Sequence, residues 1–330
     1  MALTLAEAKV GYADKVEQNV IDEFRRSSIL LDKLTFDDTI SPTGGSNLVY
    51  GYQRLETPST ASVRQINAEY SPNEAKRTKC TASPVILGGS FQIDRVIAQT
   101  SGAINEMDFQ IKEKTKAGAN YFHNLVINGT SASSGTGYVP NTFDGLKKIL
   151  TGKSTEMTTD IDISTSALLD SNYNALLDEL DTFIALLAAK PDVLMMNSKM
   201  LTKVKSAARR AGYYDRNKDD FGRTVETYNG IILMDAGQYY NGSTTEDVVS
   251  TSTPSSDAYG TTDIYAAKLG LDAFHGISVD GSKMLKTYLP DLQAPGAVKT
   301  GEVELIAGAV LKNSKMAGVL KGIKLLGKTA

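Results

Sequence analysis

An α+β fold is predicted, with several long peripheral elements leading into one compact α/β domain. Three observations carry this. Residues 41–98 alternate as strands do, with breaks at Pro72, Pro84 and Gly88-Gly89. Residues 101–127 form one long amphipathic helical pattern. Beyond residue 151, helical and extended apolar runs take turns, which argues for one α/β domain over about 151–290.

The chain opens with a helical pattern in which Val16, Val20, Ile21 and Phe24 recur on one face. Leu30, Leu31 and Leu34 continue the apolar theme after "FRRSS". So short an arm cannot bury these side chains alone, so they need the rest of the chain or a neighbour. "SPTGGSN" is a loop signal. "NLVYGYQRLET" then places Leu48, Tyr50 and Tyr52 on one side and Val49 and Gln53 on the other. Arg54, Arg64, Lys76, Arg77 and Lys79 make the region locally basic. The expected form is a long, partly polar two-stranded hairpin. Such a ribbon is marginal by itself in water and implies an external surface to lie on.

In "SGAINEMDFQIKEKTKAGANYFHNLVI", Ile104, Met107, Ile111, Gly118, Phe122 and Leu125 share a face. Ser101 can cap its start, Glu106 and Asp108 suit the positive end of the dipole, and the helix would run roughly 40 Å. Asn128-Gly129 supplies an expected left-handed stop. After a Ser/Gly/Thr loop, "FDGLKKIL" restarts structure. Leu169, Tyr173, Leu176, Leu177, Leu180, Phe183, Ile184 and Leu187 mark a second helix. "DVLMM" reads as a buried strand, "NSKMLTKVKSAARRAG" as a helix with a glycine stop, and "NGIILMDAG" and "DIYAAKLG" as core strands. The tail holds two extended apolar runs about a turn at Lys312–Ser314.

Bulk properties exclude several functions. A compact chain of 330 residues can bury about three-quarters of its unfolded surface. A net charge of −3 gives no global case for nucleic-acid binding. The single cysteine, Cys80, excludes an internal disulfide framework and suits a reducing compartment. No apolar run approaches the ~18 residues of a membrane span, and the N-terminus lacks a secretion-signal core.

Chemistry is sparse. "GTSASSGTG" lacks the lysine of a phosphate loop and follows a helix, so it reads as a polar connection. Cys80 and His123 could be drawn as a thiolate pair, but an extended-run cysteine and a helix-packed histidine account for both. The pairs Asp37-Asp38, Asp160 with Asp162, and Asp219-Asp220 sit in turn-like contexts. Arg209, Arg210 and Arg216 beside Tyr213 and Tyr214 suit an interface loop better than single-stranded nucleic acid, because Asp215, Asp219 and Asp220 interleave with them. No catalytic residue, cofactor or metal is implied.

The order of elements resembles the major capsid protein of tailed bacteriophages, with the Hong Kong 97-type fold. "TLAEAKVGYADKVEQNVIDEFRRSSILLDKLTFDD" is similar to the N-terminal arm. "GGSNLVYGYQRLETPSTASVRQINAEYSPNEAKRTKCTASPVILGGSFQIDRV" is similar to the extended loop and its return. "DFQIKEKTKAGANYFHNLVING" with "FDGLKKIL" is similar to the spine helix and the passage to the axial domain.

The resemblance implies an arm over 1–40, an extended loop over 41–85 and a peripheral domain with the spine helix over 86–150. It implies an axial domain over 151–295 and closing strands over 296–330 that return to the peripheral domain. It further implies self-assembly into hexamers and pentamers of an icosahedral shell around double-stranded DNA, without sequence-specific binding or a membrane. Expected partners are a scaffolding protein, a portal and decoration proteins, with assembly in the host bacterial cytoplasm and residence in the virion capsid. Because the arm starts almost at Met1, a scaffold would be a separate protein, or there would be none. The expected inter-subunit contacts are Phe24, Leu30, Leu31, Tyr50, Tyr52, Arg54, Arg64, Lys76, Lys79, Arg209, Arg210, Tyr213 and Tyr214. Two alternatives stay open: an encapsulin-type nanocompartment shell, and a cytoplasmic α/β metal-dependent enzyme using Asp219 and Asp220.

Overall fold

The computed structural model describes residues 29–38, 49–57, 59–100, 106–131, 142–212, 215–218, 224–279 and 285–328. In chain order the elements are α1 (Ile29–Lys33), β1 (Phe36–Asp38), β2 (Tyr50–Thr57), β3 (Lys76–Ala82), β4 (Val85–Asp94), α2 (Arg95–Thr100), α3 (Glu106–Asn128), α4 (Leu146–Leu150) and β5 (Glu156–Thr158). There follow α5 (Ser166–Ala185), β6 (Val193–Met196), α6 (Ser198–Ala211), β7 (Asp215–Lys218), β8 (Thr224–Tyr228), β9 (Ile231–Asp235), β10 (Gln238–Tyr240) and β11 (Thr245–Asp247). The chain closes with β12 (Gly260–Ala267), β13 (Phe274–Ser278), β14 (Leu285–Tyr288), β15 (Val298–Leu311) and β16 (Ala317–Leu326).

The first sheet is built on β15. It runs antiparallel to β4 from Val298 opposite Asp94 to Ala307 opposite Val85, and on its other side it pairs with β13 and β14. β1 adds in parallel to β13. Period-two alternation in β4 turns Val85, Leu87, Phe91 and Ile93 inward and leaves Ile86 exposed. α3 lies across β4 and β15 with Ile111, Thr115, Ala119, Phe122, His123 and Val126 buried. That spacing is one helical face. Thr115 is tolerated inside because its hydroxyl donates to the Ile111 carbonyl at 2.8 Å. At 23 residues α3 is about 35 Å long. Ile111, Phe122 and Leu125 are buried as expected, but Ala119 rather than Gly118 makes the close contact. A Cβ on Gly118 would meet nothing within 4 Å. The expected Ser101 cap and Ile104 lie outside the described residues.

α3 ends at Asn128 as the sequence predicts, but for a different reason. Gly129 does not take a left-handed conformation. It is needed because a Cβ there would sit 2.4 Å from the Phe143 carbonyl oxygen and 2.5 Å from that of Leu125. Gly145 is equally constrained, 2.6 Å from the Ile127 carbonyl oxygen. The two glycines let the strand entering and the strand leaving the connector touch backbone to backbone, with Gly145 N–H donating to the Gly129 carbonyl at 2.8 Å. Asp144 completes the clasp by accepting from the Ser131 N–H and hydroxyl and pairing with Lys148. These donors hold its carboxyl below the usual range despite partial burial, which acts the other way. Phe143 and Leu146 are buried to either side. "FDGL" is therefore a structural buckle.

The second sheet has seven strands in the order β5-β16-β12-β6-β9-β8-β7. β6 runs parallel to β9 and β5 parallel to β16; the remaining pairs are antiparallel. Both faces of its centre are covered, so β6 is buried at every residue. Alternate residues serve different cores: Val193 and Met195 join the core with α3, Leu194 and Met196 the core under α5 and α6. Thr165 caps α5, and Asn197 caps α6 by accepting from Met200 N–H at 2.8 Å. Gly212, at φ 78°, ends α6 in the left-handed region.

Sheet membership cuts across chain order. β13 and β14 lie before residue 295 yet belong to the first sheet. Of the two tail strands, β15 joins the first sheet and β16 the second, between β5 and β12. The reason is burial: Ala317, Val319, Leu320, Ile323 and Leu325 need cover on both faces of β16. The long helix is not isolated either, because its C-terminal half is core. Among the described residues no helix is long and apolar enough to cross a membrane.

Two predictions follow from packing. Gly145→Ala should cost about 2–3 kcal/mol because backbone must move, whereas Gly118→Ala should stabilise the subunit by about 0.5–1 kcal/mol through helix propensity. Thermal melts of the two variants would show shifts of opposite sign. Burial pushes the His123 imidazole down to about 4. A depressed histidine means the unfolded chain binds the proton better, so stability should be full above about pH 6.5 and fall as pH drops toward about 4. Urea melts should show up to about 3 kcal/mol of this loss absent from His123→Leu.

Candidate assembly surface: the hairpin and its root

β2 and β3 form a two-stranded antiparallel ribbon, from Tyr50 opposite Ala82 to Thr57 opposite Lys76. Its two ends differ sharply. Every residue from 59 to 79 is exposed, while Tyr50, Tyr52 and Arg54 are half-buried against the body. The alternation read in "YGYQR" is thus the alternation between body-facing and solvent-facing residues.

The root is a clamp. Tyr50 donates its hydroxyl to Asp37 of β1 at 2.6 Å, and Lys312 sits 5.5 Å above its ring. Burial and the Asp37 carboxylate together hold the Tyr50 phenol well above its ordinary range. Tyr52 lies beside Tyr50 with ring centroids 6.3 Å apart, and its phenol is also raised, chiefly by burial. Arg54 reaches the end of β15, donating to the Leu311 carbonyl at 2.7 Å and the Lys312 carbonyl at 3.2 Å. These are charge-assisted bonds to groups that β15 leaves unpaired as it ends. A cleft of about 1050 Å³ opens between this root, the end of β15 and the Phe143–Ile149 segment. Cys80 lines that cleft, while His123 is sealed in the α3 core, so the two are carried by different elements.

The tip is apolar and basic. Val63 is 100% exposed, Ile66 91% and Tyr70 59%. Arg64 shapes this end, with its guanidinium 5.6 Å from the Tyr70 ring and a 3.2 Å bond to the Ala68 carbonyl. Lys76 and Lys79 lie exposed along β3. Three adjacent large apolar side chains on a thin ribbon cannot be covered by that ribbon.

The other expected contacts fall elsewhere. Leu30 and Leu31 are buried in this chain's own core beside Phe122, so the end of the arm is covered by the rest of the chain. Arg209 is exposed near the end of α6, and Arg210 pairs with Asp170 of α5 at 2.6 Å. Phe24, Tyr213, Tyr214, Asp219 and Asp220 lie outside the described residues. Asp37, His275, Lys312 and Asp144 were not singled out as contacts by the sequence. Among the described residues no group of three or more His, Cys, Asp and Glu side chains is placed to hold a metal.

An extended ribbon, a spine helix on a long antiparallel ladder and a second mixed sheet define the Hong Kong 97-type fold. Solved structures share it at low identity. The encapsulin of the holo-SrpI complex from Synechococcus elongatus PCC 7942 is 12% identical with a TM-score of 0.61, over 91% of this chain and 89% of that one. The Mycobacterium phage Ogopogo structure is 13% identical with a TM-score of 0.54, over 89% and 91%. The capsid of Myoviridae phage XM1 is 12% identical with a TM-score of 0.52, over 89% and 91%. A family model described as SU10 major capsid protein matches residues 76–232, from β3 through the spine helix and buckle to β9. No curated protein sequence matches. The family match and the phage capsid structures support a major capsid protein.

If the clamp fixes the ribbon, Arg54→Ala should lose two charge-assisted bonds and speed local opening of residues 50–57 and 76–82 roughly tenfold or more. Hydrogen exchange should show this with protection in β6 unchanged.

Proposed function

We propose that this chain is the major capsid protein of a tailed bacteriophage, assembling with copies of itself into hexamers and pentamers of a closed shell around double-stranded DNA. One observation carries the structural part of this reading: a ribbon clamped at its root presents Val63, Ile66 and Tyr70 largely exposed, with no core of the described residues covering them. A neighbouring copy supplies such cover at every position of a closed shell, because each subunit both offers a ribbon and receives one. Many moderate contacts then act together.

In this reading residues 1–40 are the arm and 41–85 the extended loop. The first sheet with α3 is the peripheral domain, and the second sheet with α5 and α6 the axial domain. Tyr50, Tyr52 and Arg54 set the ribbon's angle, while Arg64, Lys76 and Lys79 meet the neighbour. Phe24, Tyr213 and Tyr214, with Arg209 and Arg210, are further contact candidates. Scaffolding, portal and decoration proteins are the expected partners, with assembly in the host bacterial cytoplasm and no catalytic step by the chain.

The fold likeness extends equally to an encapsulin, so the contents of the shell separate the two; the family match over 76–232 favours the capsid. Replacing residues 59–75 by a two-residue Asn-Gly turn should leave the melting temperature within a few degrees, since no core residue is removed. It should abolish closed shells in negative-stain electron micrographs of the protein coexpressed with its neighbouring genes. Shells of normal size from that variant would contradict the role given to the ribbon. Protein cargo without DNA in wild-type shells would favour the encapsulin reading.

A further inference from the structure

His275 stands where four elements meet. It lies in β13, between β1 and β15, and is fully buried. Tyr50 of the ribbon root covers it edge-on, with ring centroids 5.7 Å apart and planes at 71°. Among the described residues neither ring nitrogen has a hydrogen-bond partner of normal geometry. A fully buried imidazole with both nitrogens unmatched is costly when neutral and far more costly when charged.

The charged and titratable groups around it come from each packed element. β1 brings Asp37, already engaged by the Tyr50 hydroxyl. β2 brings Tyr50 itself. The end of β15 brings Lys312, whose ammonium also lies over the Tyr50 ring. The turn before β13 brings Asp272, and the Ala273 backbone mildly favours the charged form. Desolvation is the largest influence on His275, followed by repulsion from Lys312; Asp37, Ala273 and Asp272 oppose them less strongly, and the imidazole is held below its ordinary range.

We propose that His275 is a proton-operated latch for the ribbon: taking up a proton opens the Tyr50–Arg54 root and lets the ribbon change its contacts while both cores stay folded. The proton comes from solvent and ends on a ring nitrogen, with no other chemistry required. An imidazolium beneath Tyr50 is repelled by Lys312, whose ammonium lies over the same ring. The least costly relief is to lift the thin ribbon, because Tyr50 and Arg54 hold this end through the Asp37, Leu311 and Lys312 bonds and the ring contacts with Lys312 and His275, rather than by joining either core. The sign agrees: a depressed histidine favours the closed root above about pH 6.5, and the advantage is lost as pH falls below that value.

Hydrogen exchange followed by mass spectrometry on the full chain, corrected for the intrinsic pH dependence, tests this. Peptides covering 50–57 and 76–82 should open roughly tenfold more often at about pH 5 than at about pH 7.5, with β6 and α5 unchanged. His275→Phe and His275→Gln should each remove that pH dependence, and His123→Leu should keep it. The chain has two histidines, so the variants also assign the imidazole NMR signals by elimination. Ribbon opening should begin to rise as pH falls below about 6.5 and level off near the His275 titration midpoint, so that the two mismatch if opening is still climbing well below that midpoint. The latch is overturned by an unchanged wild-type ribbon at acid pH, by acid opening that persists in a folded His275 variant, or by β6 and α5 opening together with the ribbon. If neither His275 variant folds, a wild-type mismatch of this kind between opening and titration overturns it.

Discussion

The β4–β15 ladder is the interaction on which the rest of the structure depends. It supplies the floor on which α3 lies, and it fixes both ends of the ribbon. β4 starts just after the return strand of the ribbon, so the ladder sets where that strand emerges. β15 ends at Leu311, whose carbonyl Arg54 caps from the ribbon's other strand. A short 3-10 turn at Ser314–Met316 then sends the chain into β16 at the heart of the second sheet. One strand therefore ties the spine, the ribbon and the two sheets into a single mechanical path.

The second sheet serves as a partition. Odd and even residues of β6 face different cores, so neither core can shift without moving the other. In the proposed shell such a body would carry contacts at one edge to the opposite edge. The ribbon is built the opposite way. Its root is held by a few directional polar contacts, and among the described residues its tip is held only by local contacts such as Arg64 to Tyr70 and to the Ala68 carbonyl. Directional bonds can open and re-form without unpacking a core. A rigid body with one polar-hinged limb fits a subunit that must find its neighbours first and lock to them afterwards.

Much of this was legible in sequence, for local reasons. The end of α3 at Asn128 and the glycine stop at Gly212 are written in adjacent residues. The buried β6 follows from an uninterrupted "VLMM" after Pro191. The shared face of Tyr50 and Tyr52 was recognisable because period-two alternation survives even in a ribbon, whereas Arg54 stood out only as one of a run of basic residues. The partners of those residues were not, since Lys312 and His275 lie more than 200 positions away and carry no pattern of their own. Gly129 shows a subtler limit. Its place was read correctly, yet its necessity comes from the Phe143 carbonyl, which only the folded connector brings near. The separation of β15 from β16 was hidden for the same reason: both are apolar extended runs, and only the available burial decides which sheet each joins.

The central claim is that the ribbon tip is covered by a neighbouring copy. The most direct measurement places a photo-crosslinking amino acid at Ile66 in assembled particles and maps the products by mass spectrometry, using mixed isotope-labelled subunits to separate links within and between chains. The account expects mixed-label crosslinks from Ile66 to the body of an adjacent subunit. Links confined to a single chain, or an Ile66 that stays unreacted in closed particles, would contradict it.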